Sequence, residues 1–257
     1  LSASACSAAF LLTSQAALAL QVEVTVTSNA PTGGVYLTPL WVGFHDGSFD
    51  NFTPGTPASE GLEVIAELGD TSVRQTEFLA AQPGAVGATL ASGLGAPVFS
   101  PGESEFFDLS VGDATTNRFF SFAGMVVPTN DLFAGNGNAI ELFDAAGNFN
   151  GPVTITVFGS NIWDAGTEVN DFANGPAFVV GVDATLGTEE NGNVSLFFSD
   201  PNAGAYLDSI LDAETPVNTI GSTFDASTPL YRITVVPEPA TLGLAALGGV
   251  ALLRRRK

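Results

Sequence analysis

Three acidic residues lie in two turn-like segments and have the chemistry of a calcium site. Asp131 follows a Pro-Thr-Asn turn, and Asp164 and Glu168 flank the turn Ala165–Thr167, which can direct both carboxylates toward one point. Calcium takes roughly six to eight oxygen ligands, commonly loop carboxylates and carbonyls. Crowding without a cation would raise the pKa values of these carboxylates. The alternative is that the three acids only cap turns on an acidic surface. Further oxygen donors nearby are Asn130, Asn170, Asp171 and a backbone carbonyl near Ile140.

A second candidate for chemistry is His45, the only histidine of the chain. As a general base it would need Asp46 or Asp50 beside it and a serine nucleophile, yet the sequence has no Gly-x-Ser-x-Gly elbow. Zinc catalysis lacks ligands, because one histidine and one cysteine, Cys6, are present. We therefore expect a local turn and no enzyme, with a secreted hydrolase acting on matrix polysaccharide as the alternative. Asp46, Asp50 and Asn51 are candidates for a second, weak calcium loop.

The elements that must position these residues are predicted to be mostly short strands. Alternating and apolar runs separated by Gly, Asn, Asp, Ser and Thr are typical of an antiparallel β-sandwich. Ala58–Gln82 instead predicts one or two short helices, with Ser59 as N-cap and a break near Gly69-Asp70. Residues 203–228 fit either a late hairpin or a linker. The predicted strands are Val22–Thr27, Val35–Phe44 (where Pro39 indicates an edge or a bulge), Phe106–Val111, Phe119–Val127, Ala139–Phe143, Val153–Gly159, Val194–Phe198 and Leu230–Val236.

The composition excludes several classes of partner. The chain has 7 basic residues against 27 acidic ones and a formal net charge of −20. Only Arg74, Arg118 and Arg232 precede the basic end, so nucleic acid and anionic lipid are not expected partners. The 20 phenylalanines can fill a core, which separates the chain from disordered acidic tails. An acidic surface of this kind attracts divalent cations.

The C-terminal segment has three parts that belong together. Val236-Pro237-Glu238-Pro239 precedes the apolar run Ala240–Leu253, and Arg254–Lys257 close the chain. As a helix the run spans roughly 21 Å, short of a hydrocarbon core, and the cations stay on the cytoplasmic side. The segment resembles the PEP-CTERM sorting signal, with Pro237, Glu238 and Pro239 as its motif. The resemblance implies a sorting and processing enzyme in the membrane, cleavage near the motif, and release or attachment at the cell surface. A plain C-terminal anchor is the alternative.

The N-terminal segment predicts export as well. Ser7–Leu20 is apolar and small, and Ala17-Leu18-Ala19 suits a signal peptidase that cleaves after Ala19. Because the chain begins at Leu1 without a basic region, we expect the true start of this signal peptide to lie upstream. Cys6 is not expected to be lipidated, since Ala3 replaces the leucine that a lipoprotein signal needs. After cleavage the mature chain would have no cysteine and hence no disulfide.

Several blocks resemble the spondin N-terminal domain, in the form that bacterial exported proteins carry. The resemblance spans residues 22–201 and implies an antiparallel β-sandwich similar to membrane-targeting calcium domains, with a calcium ion near one end. By position, the ligands of the family fall on Asp131, Asp164 and Glu168. Two departures are Leu132, where animal members usually have Trp, and Glu168, where they have Asp. The blocks are Phe44–Asp50, Pro57–Glu63, Ala66–Asp70, Met125–Asp131 and Asp164–Asn170.

Together these patterns predict four segments and one function. The segments are a signal peptide at 1–19, a spondin-like β-sandwich at 20–201, last strands or a linker at 202–235, and the sorting tail with a short transmembrane helix at 236–257. The function is that of a calcium-binding protein at the cell surface or in the extracellular matrix, adhesive or structural. The expected partners are the sorting enzyme and extracellular polysaccharide or surface proteins. Contact with the membrane is expected only through the C-terminal helix, before processing.

Overall fold

A computed structural model describes residues 20–93 and 95–238. The predicted signal peptide with Ala19, and Pro239 with the apolar and basic tail after it, lie outside the described residues. Strands account for 33% of the structure and helices for 16%. The predicted mainly β class is therefore confirmed, and two packed antiparallel sheets agree with a sandwich.

The strands and helices are short and are joined by many turns. In chain order the strands are β1 (Leu20–Ser28), β2 (Tyr36–Leu37), β3 (Leu40–His45), β4 (Val86–Leu90), β5 (Ser104–Gly112), β6 (Phe119–Val127), β7 (Leu132–Gly135), β8 (Ile140–Glu141), β9 (Val153–Phe158), β10 (Ile162–Asp164), β11 (Ser195–Leu196) and β12 (Pro229–Pro237). The α-helices are α1 (Glu60–Leu68), α2 (Ser72–Ala81) and α3 (Ala203–Ser209).

The first sheet has the strand order β5-β1-β12-β9. β1 alternates as its sequence predicts: Val22, Val24 and Val26 are fully buried, whereas Glu23 and Thr25 are half-buried on the other face. Period-two patterning puts every second side chain on the core face. The valine row thus packs into the core, while backbone pairing holds β1 between β5 and β12.

The second sheet has the order β11-β10-β7-β6-β3-β4, and β2 and β8 also pair with β6. The predicted strand Val35–Phe44 is in fact two strands, β2 and β3, with Pro39 between them. Proline has no N–H for a ladder. Thr38 beside it bridges the gap, because its N–H donates to Met125 O (3.0 Å) and its hydroxyl accepts from Met125 N (2.9 Å).

The predicted helical segment holds α1 and α2. The Ser59 hydroxyl accepts from Leu62 N (3.4 Å) and caps α1. Gly69 ends α1 with a φ of 67°, a left-handed conformation that costs glycine little. The break predicted near Gly69 is therefore present.

Residues 203–228 belong to the packed domain. They begin with α3, a helix where the sequence predicts a hairpin or a linker, and contain one isolated bridge between Glu214 and Thr219. Tyr206, Ile210 and Ile220 from this segment are buried in the main core. β12 then enters the first sheet between β1 and β9, so the sheet continues past residue 201.

Strand pairing shows at which end of the sandwich the C-terminus of β12 and the loop after β6 lie. Pro237, the last residue of β12, lies opposite Val22 near the start of β1, at what we call the tail end. Tyr231 lies roughly 20 Å away along β12, and its hydroxyl donates to the carbonyl oxygen of Tyr36 (3.0 Å). Tyr36 pairs with Val127, the last residue of β6. The loop after β6 is therefore at the far end, opposite the tail end.

Candidate metal centre

The loop between β6 and β7 contains Asp131, which has no exposed surface. Its Oδ2 accepts hydrogen bonds from the backbone N–H groups of Thr167 (2.9 Å) and Glu168 (3.1 Å). Its Oδ1 is buried and has no hydrogen-bond partner among the described residues. A buried carboxylate oxygen without a donor is costly and points to a ligand or ordered water.

Asp164 ends β10 and lies beside Asp131 because of strand pairing. Asp164 pairs with Leu132 across the β10–β7 ladder, and Ala165 N donates to Asp131 O (3.2 Å). The Asp164 Oδ1 accepts from Gly166 N (2.7 Å), and its Oδ2 accepts from Asn170 Nδ2 (2.5 Å). The turn predicted at Ala165–Thr167 is thus closed by the Asp164 carboxylate itself.

Asn170 supplies a second buried oxygen to the same region. Its Nδ2 is used by Asp164, whereas its Oδ1 is buried with no partner in the described part of the chain. Two orphaned oxygens, on Asp131 and Asn170, therefore belong to two residues that both contact the segment 164–168. Both are hard oxygen donors of the kind calcium binds.

Glu168 completes the set of predicted ligands and is only 4% exposed. Its Oε2 lies 3.5 Å from Asn130 Nδ2. On its other side the carboxylate packs against Gly187, where an added Cβ would lie 1.8 Å from Glu168 Oε1. Any side chain at residue 187 would displace this carboxylate. Glu168 can therefore lie here only because residue 187 is a glycine.

The three carboxylates have raised pKa values. Burial raises the pKa of Asp131 to about 8, and the charge of Asp164 adds to the effect. The pKa of Asp164 is raised by burial, although its hydrogen bond from Asn170 opposes the shift. Burial, and then the charge of Glu67, raises the pKa of Glu168 to about 7. In each case burial disfavours the ionised form of the carboxylate, and for Asp131 and Glu168 a neighbouring negative charge adds to the effect.

Among residues 20–93 and 95–238, no basic side chain forms an ion pair with the cluster. The described residues include three arginines, and Arg74 pairs with Glu77 while Arg118 pairs with Glu141. Arg232 lies on β12, in the other sheet. Further acids extend the cluster instead: Glu67 on α1 has a pKa raised by burial and a buried Oε1 without a partner in the structure described.

Tyr206 holds the loop of the site from α3. Its hydroxyl accepts from Asn130 N (2.9 Å) and donates to Asn130 Oδ1 (2.8 Å). Burial raises the pKa of the phenol well above its usual value, so the hydroxyl keeps its proton as a donor. Sequence reasoning missed Tyr206. The only signal was an aromatic residue in a segment whose structure the sequence left open.

The remaining donors predicted from the sequence are only partly assembled. Asn130 and Asn170 are at the site, and Asp171 lines a cleft that begins at Asp164. Ile140 is not at the site: it pairs with Phe120 on β6, roughly 23 Å from the loop end of that strand. Across residues 20–93 and 95–238, no group of three or more His, Cys, Asp or Glu side chains is arranged as a ready metal cage.

An open cleft of about 900 Å³ adjoins Asp164. Its wall has four carboxylates, several amides, Phe172 and Tyr206, but no basic residue. Such a lining repels anions and suits hydroxyl-rich or cationic groups. The acidic and amide residues are Asp164, Asp171, Glu190, Asp200, Asn170, Asn193 and Asn202.

The surroundings of His45 do not have the geometry of a general base. It has no exposed surface, its Nδ1 accepts from Gly47 N (3.1 Å), and its Nε2 lies 3.0 Å from Ser121 Oγ. With Nδ1 as acceptor, the neutral ring carries its proton on Nε2 and donates to Ser121, which is the wrong direction for a general base. Burial lowers the pKa of His45 to about 4, although the charge of Asp46 opposes the shift. Ser121 is fully buried too.

The candidate second calcium loop is not assembled around a common point. Asp46 accepts from Ser48 N (2.9 Å) and from its hydroxyl, whereas Asp50 accepts from the Thr53 hydroxyl (2.5 Å). Asn51 is buried and donates to Phe122 O (2.9 Å). Each side chain therefore closes its own local turn or strand contact.

Comparisons with known proteins add one family. The model of the PEP-CTERM protein-sorting motif matches residues 235–257, which include Pro237, Glu238 and Pro239. The protein is thus an exported, surface-sorted one whose tail is processed by a sorting enzyme. The spondin resemblance of residues 22–201 has no support from a family-model match. No curated protein matches the chain. None of the helices described between residues 20 and 238 has the length and apolarity to cross a bilayer.

Proposed function

We propose that the domain of this exported protein binds Ca²⁺ through Asp131, Asp164 and Glu168 and serves adhesion or structure in the extracellular matrix, with no catalytic role. The domain would be of the spondin N-terminal type. The observation that carries the proposal is the Asp131 carboxylate, which is fully buried with one oxygen lacking any partner among the described residues. A bound cation would supply that partner.

The donor chemistry supports calcium rather than a softer metal. All side-chain donors at the site are oxygens from carboxylates and amides, and calcium prefers such ligands at flexible loops. Asp131 Oδ1 and Asn170 Oδ1 are available as they stand. Asp164 and Glu168 contribute charge that a divalent ion would neutralise.

A bound ion would act first on the loops. Asp131 and the segment 164–168 come from two turns joined by one short ladder, β7 with β10. With two or three carboxylates ionised and no cation, these turns repel each other. The ion would replace this repulsion by shared coordination and would hold the wall of the cleft beside Asp164 in one shape.

The position of the site suits adhesion. Asp131 follows Val127 at the far end of the sandwich, whereas Pro237 of the sorting motif is at the tail end. A molecule attached through its tail would present the site outward. The cleft next to the site has no basic lining residue, so we propose neutral, hydroxyl-rich polysaccharide as its ligand, with sugar hydroxyls completing the coordination of calcium.

The test is the melting temperature of the purified protein in calcium, in magnesium and in chelator. A ligand at roughly 100 times its Kd stabilises by about 2.7 kcal/mol, which is about 5–10 °C for a domain of this size. We expect that rise with calcium in the parent and its loss in Asp131→Asn and Asp164→Asn. The matched control is Asp108→Asn, an exposed acid on β5, which should keep the full response.

Two results would reject the proposal. One is equal melting of the parent in calcium and in chelator. The other is a calcium response that survives both site substitutions. Turnover of a glycan panel that disappears in His45→Ala would favour the hydrolase instead.

A further inference from the structure

The outer edge of β9 is an edge of the first sheet that no described strand covers. In the order β5-β1-β12-β9, β9 pairs with β12 on one side, and no strand in the described part of the chain pairs with its other side. Gly159 N donates to Thr228 O on the β12 side (2.9 Å). Because backbone groups alternate along a strand, the N–H and C=O groups of Thr154 and Thr156 point away from the sheet.

The composition of β9 has none of the features that protect sheet edges. Its sequence is Val-Thr-Ile-Thr-Val-Phe, without charge, proline or glycine. The side chains of Thr154 and Thr156 are exposed, and Phe158 is 39% exposed. Natural edges usually carry lysine, proline, a bulge or an inward charge, and a flat apolar edge invites pairing with another strand.

The other three sheet edges differ from β9. β5 carries Glu105 and the exposed Asp108. β11 has only two residues. β4 is packed against α2, and the hydroxyl of Thr71, which immediately precedes α2, is 2.6 Å from the hydroxyl of Thr89 on β4. Of the four edge strands in the described part of the chain, β9 is the one with six consecutive uncharged residues and an open backbone.

Charge opposes a second copy of this chain least at the strip formed by β9 and β12. The net charge of −20 makes copies repel each other over most of their surface. β9 and β12 together carry one charged side chain, the exposed Arg232 on β12, beside Thr156. This strip is where two acidic molecules can approach with the least repulsion.

We infer that two copies of this protein pair β9 with β9, antiparallel, and join their first sheets into one eight-stranded sheet. With Ile155 on the two-fold axis, Thr154 of each copy faces Thr156 of the other. Both residues point their backbone groups outward, so the two pairs exchange about four backbone hydrogen bonds. The register keeps threonine opposite threonine on the outer face and Val153 opposite Val157 on the core face.

Sedimentation velocity of the purified protein over a range of concentrations tests the dimer. We expect the average mass to rise toward twice that of one chain. In Thr154→Lys/Thr156→Lys, each cross-strand threonine pair becomes a lysine pair, and like charges directly opposite each other weaken association by about tenfold. The control Thr76→Lys/Thr115→Lys makes the same charge change at exposed positions away from β9 and should associate like the parent.

Hydrogen exchange gives a second measurement that needs no variant. The amides of residues 153–158 should exchange more slowly at high than at low concentration, while those of β5 should not change. A protein that stays monomeric at every concentration overturns the inference. So does association that the β9 lysines leave intact, or protection of β9 that appears only when a different protein is added.

Discussion

The backbone N–H of Glu238 donates to the carbonyl oxygen of Gln21 at 3.3 Å. Glu238 is the centre of the sorting motif, and Gln21 lies two residues after the predicted signal-peptide cleavage at Ala19. The sorting motif and the residue that follows the predicted cleavage point are therefore neighbours at the tail end of the sheet, and Pro237 is still paired with Val22. The motif begins inside β12, without a linker between it and the domain.

Replacing Pro237, Glu238 and Pro239 by alanine should block sorting while leaving the domain folded. The sorting enzyme needs the motif, whereas the paired part of β12 before it keeps its hydrogen bonds. We expect the unprocessed chain to stay with the membrane, as measured by fractionation and by the mass of the mature C-terminus. Pro229→Ala, at the exposed start of β12, is the control and should be processed normally. Normal processing of the triple variant would contradict the prediction.

Tyr206→Phe should weaken calcium binding, because Tyr206 positions the loop that carries Asp131. The substitution leaves the N–H and side-chain oxygen of Asn130 without their buried partner, a loss of about 1–3 kcal/mol. The control is Tyr231→Phe, which removes another buried hydroxyl, bonded to Tyr36 O (3.0 Å). Both variants should melt lower in chelator. Only Tyr206→Phe should also lose calcium affinity in calorimetry, and equal affinities in the two variants would count against the positioning role.

Gly187→Ala should lower calcium affinity without touching any proposed ligand. The new Cβ would lie 1.8 Å from Glu168 Oε1, so the carboxylate has to leave its place. We expect at least about a tenfold loss of affinity, equivalent to about 1.4 kcal/mol. Gly204→Ala is the control, since open space surrounds that position on α3. Unchanged calcium affinity in Gly187→Ala would remove Glu168 from the ligand set.

In chelator, the free energy of unfolding should fall as pH rises from 6.5 to 8. The pKa of Asp131 is raised to about 8 and that of Glu168 to about 7, so the folded protein holds protons that the unfolded chain has released. Stability is then lost as pH rises through these values, by up to about 2 kcal/mol over this range. Measured by urea unfolding in chelator, the free energy of unfolding should change less with pH in Asp131→Asn than in Asp108→Asn.

The pH range is chosen to keep His45 out of that measurement. Its folded pKa is lowered to about 4 from 6.5, so its contribution to stability is complete above 6.5 and is lost only as pH falls below that value. If the free energy of unfolding of the parent instead rises between pH 6.5 and 8 in chelator, the pKa values of the buried carboxylates are not raised in the folded protein.

Local patterns predicted part of the fold well. The valine alternation of β1 and the capped helix α1 are present because period and capping depend on neighbours in the chain. The strands β4, β7 and β10 were missed, since they are short and owe their extended form to pairing partners. The sequence of residues 203–228 fits either a hairpin or a linker for the same reason, because its apolar residues pack only against segments that are distant in the chain.

The sequence likewise indicated only some of the residues of the candidate site. Residue types and turns pointed to Asp131, Asp164 and Glu168, but also to Ile140, which lies at the other end of β6. The sequence does not indicate the role of Tyr206, and it names Asn170 only as a nearby oxygen donor, without the buried Oδ1 that lacks a partner among the described residues. Both depend on contacts between segments far apart in the chain.

The sequence alone determined the sorting signal, the acidic charge and the mainly β class, because these follow from composition, local order and period. The tertiary structure decided that Asp131 lies buried beside Asp164 and that the candidate site and the sorting motif occupy opposite ends. It also decided that, among the described residues, no arginine pairs with these carboxylates and no strand covers the outer edge of β9. The physical reason is that burial, charge compensation and strand edges are set by the pairing of distant segments. No local pattern encodes the side on which a distant strand will pair.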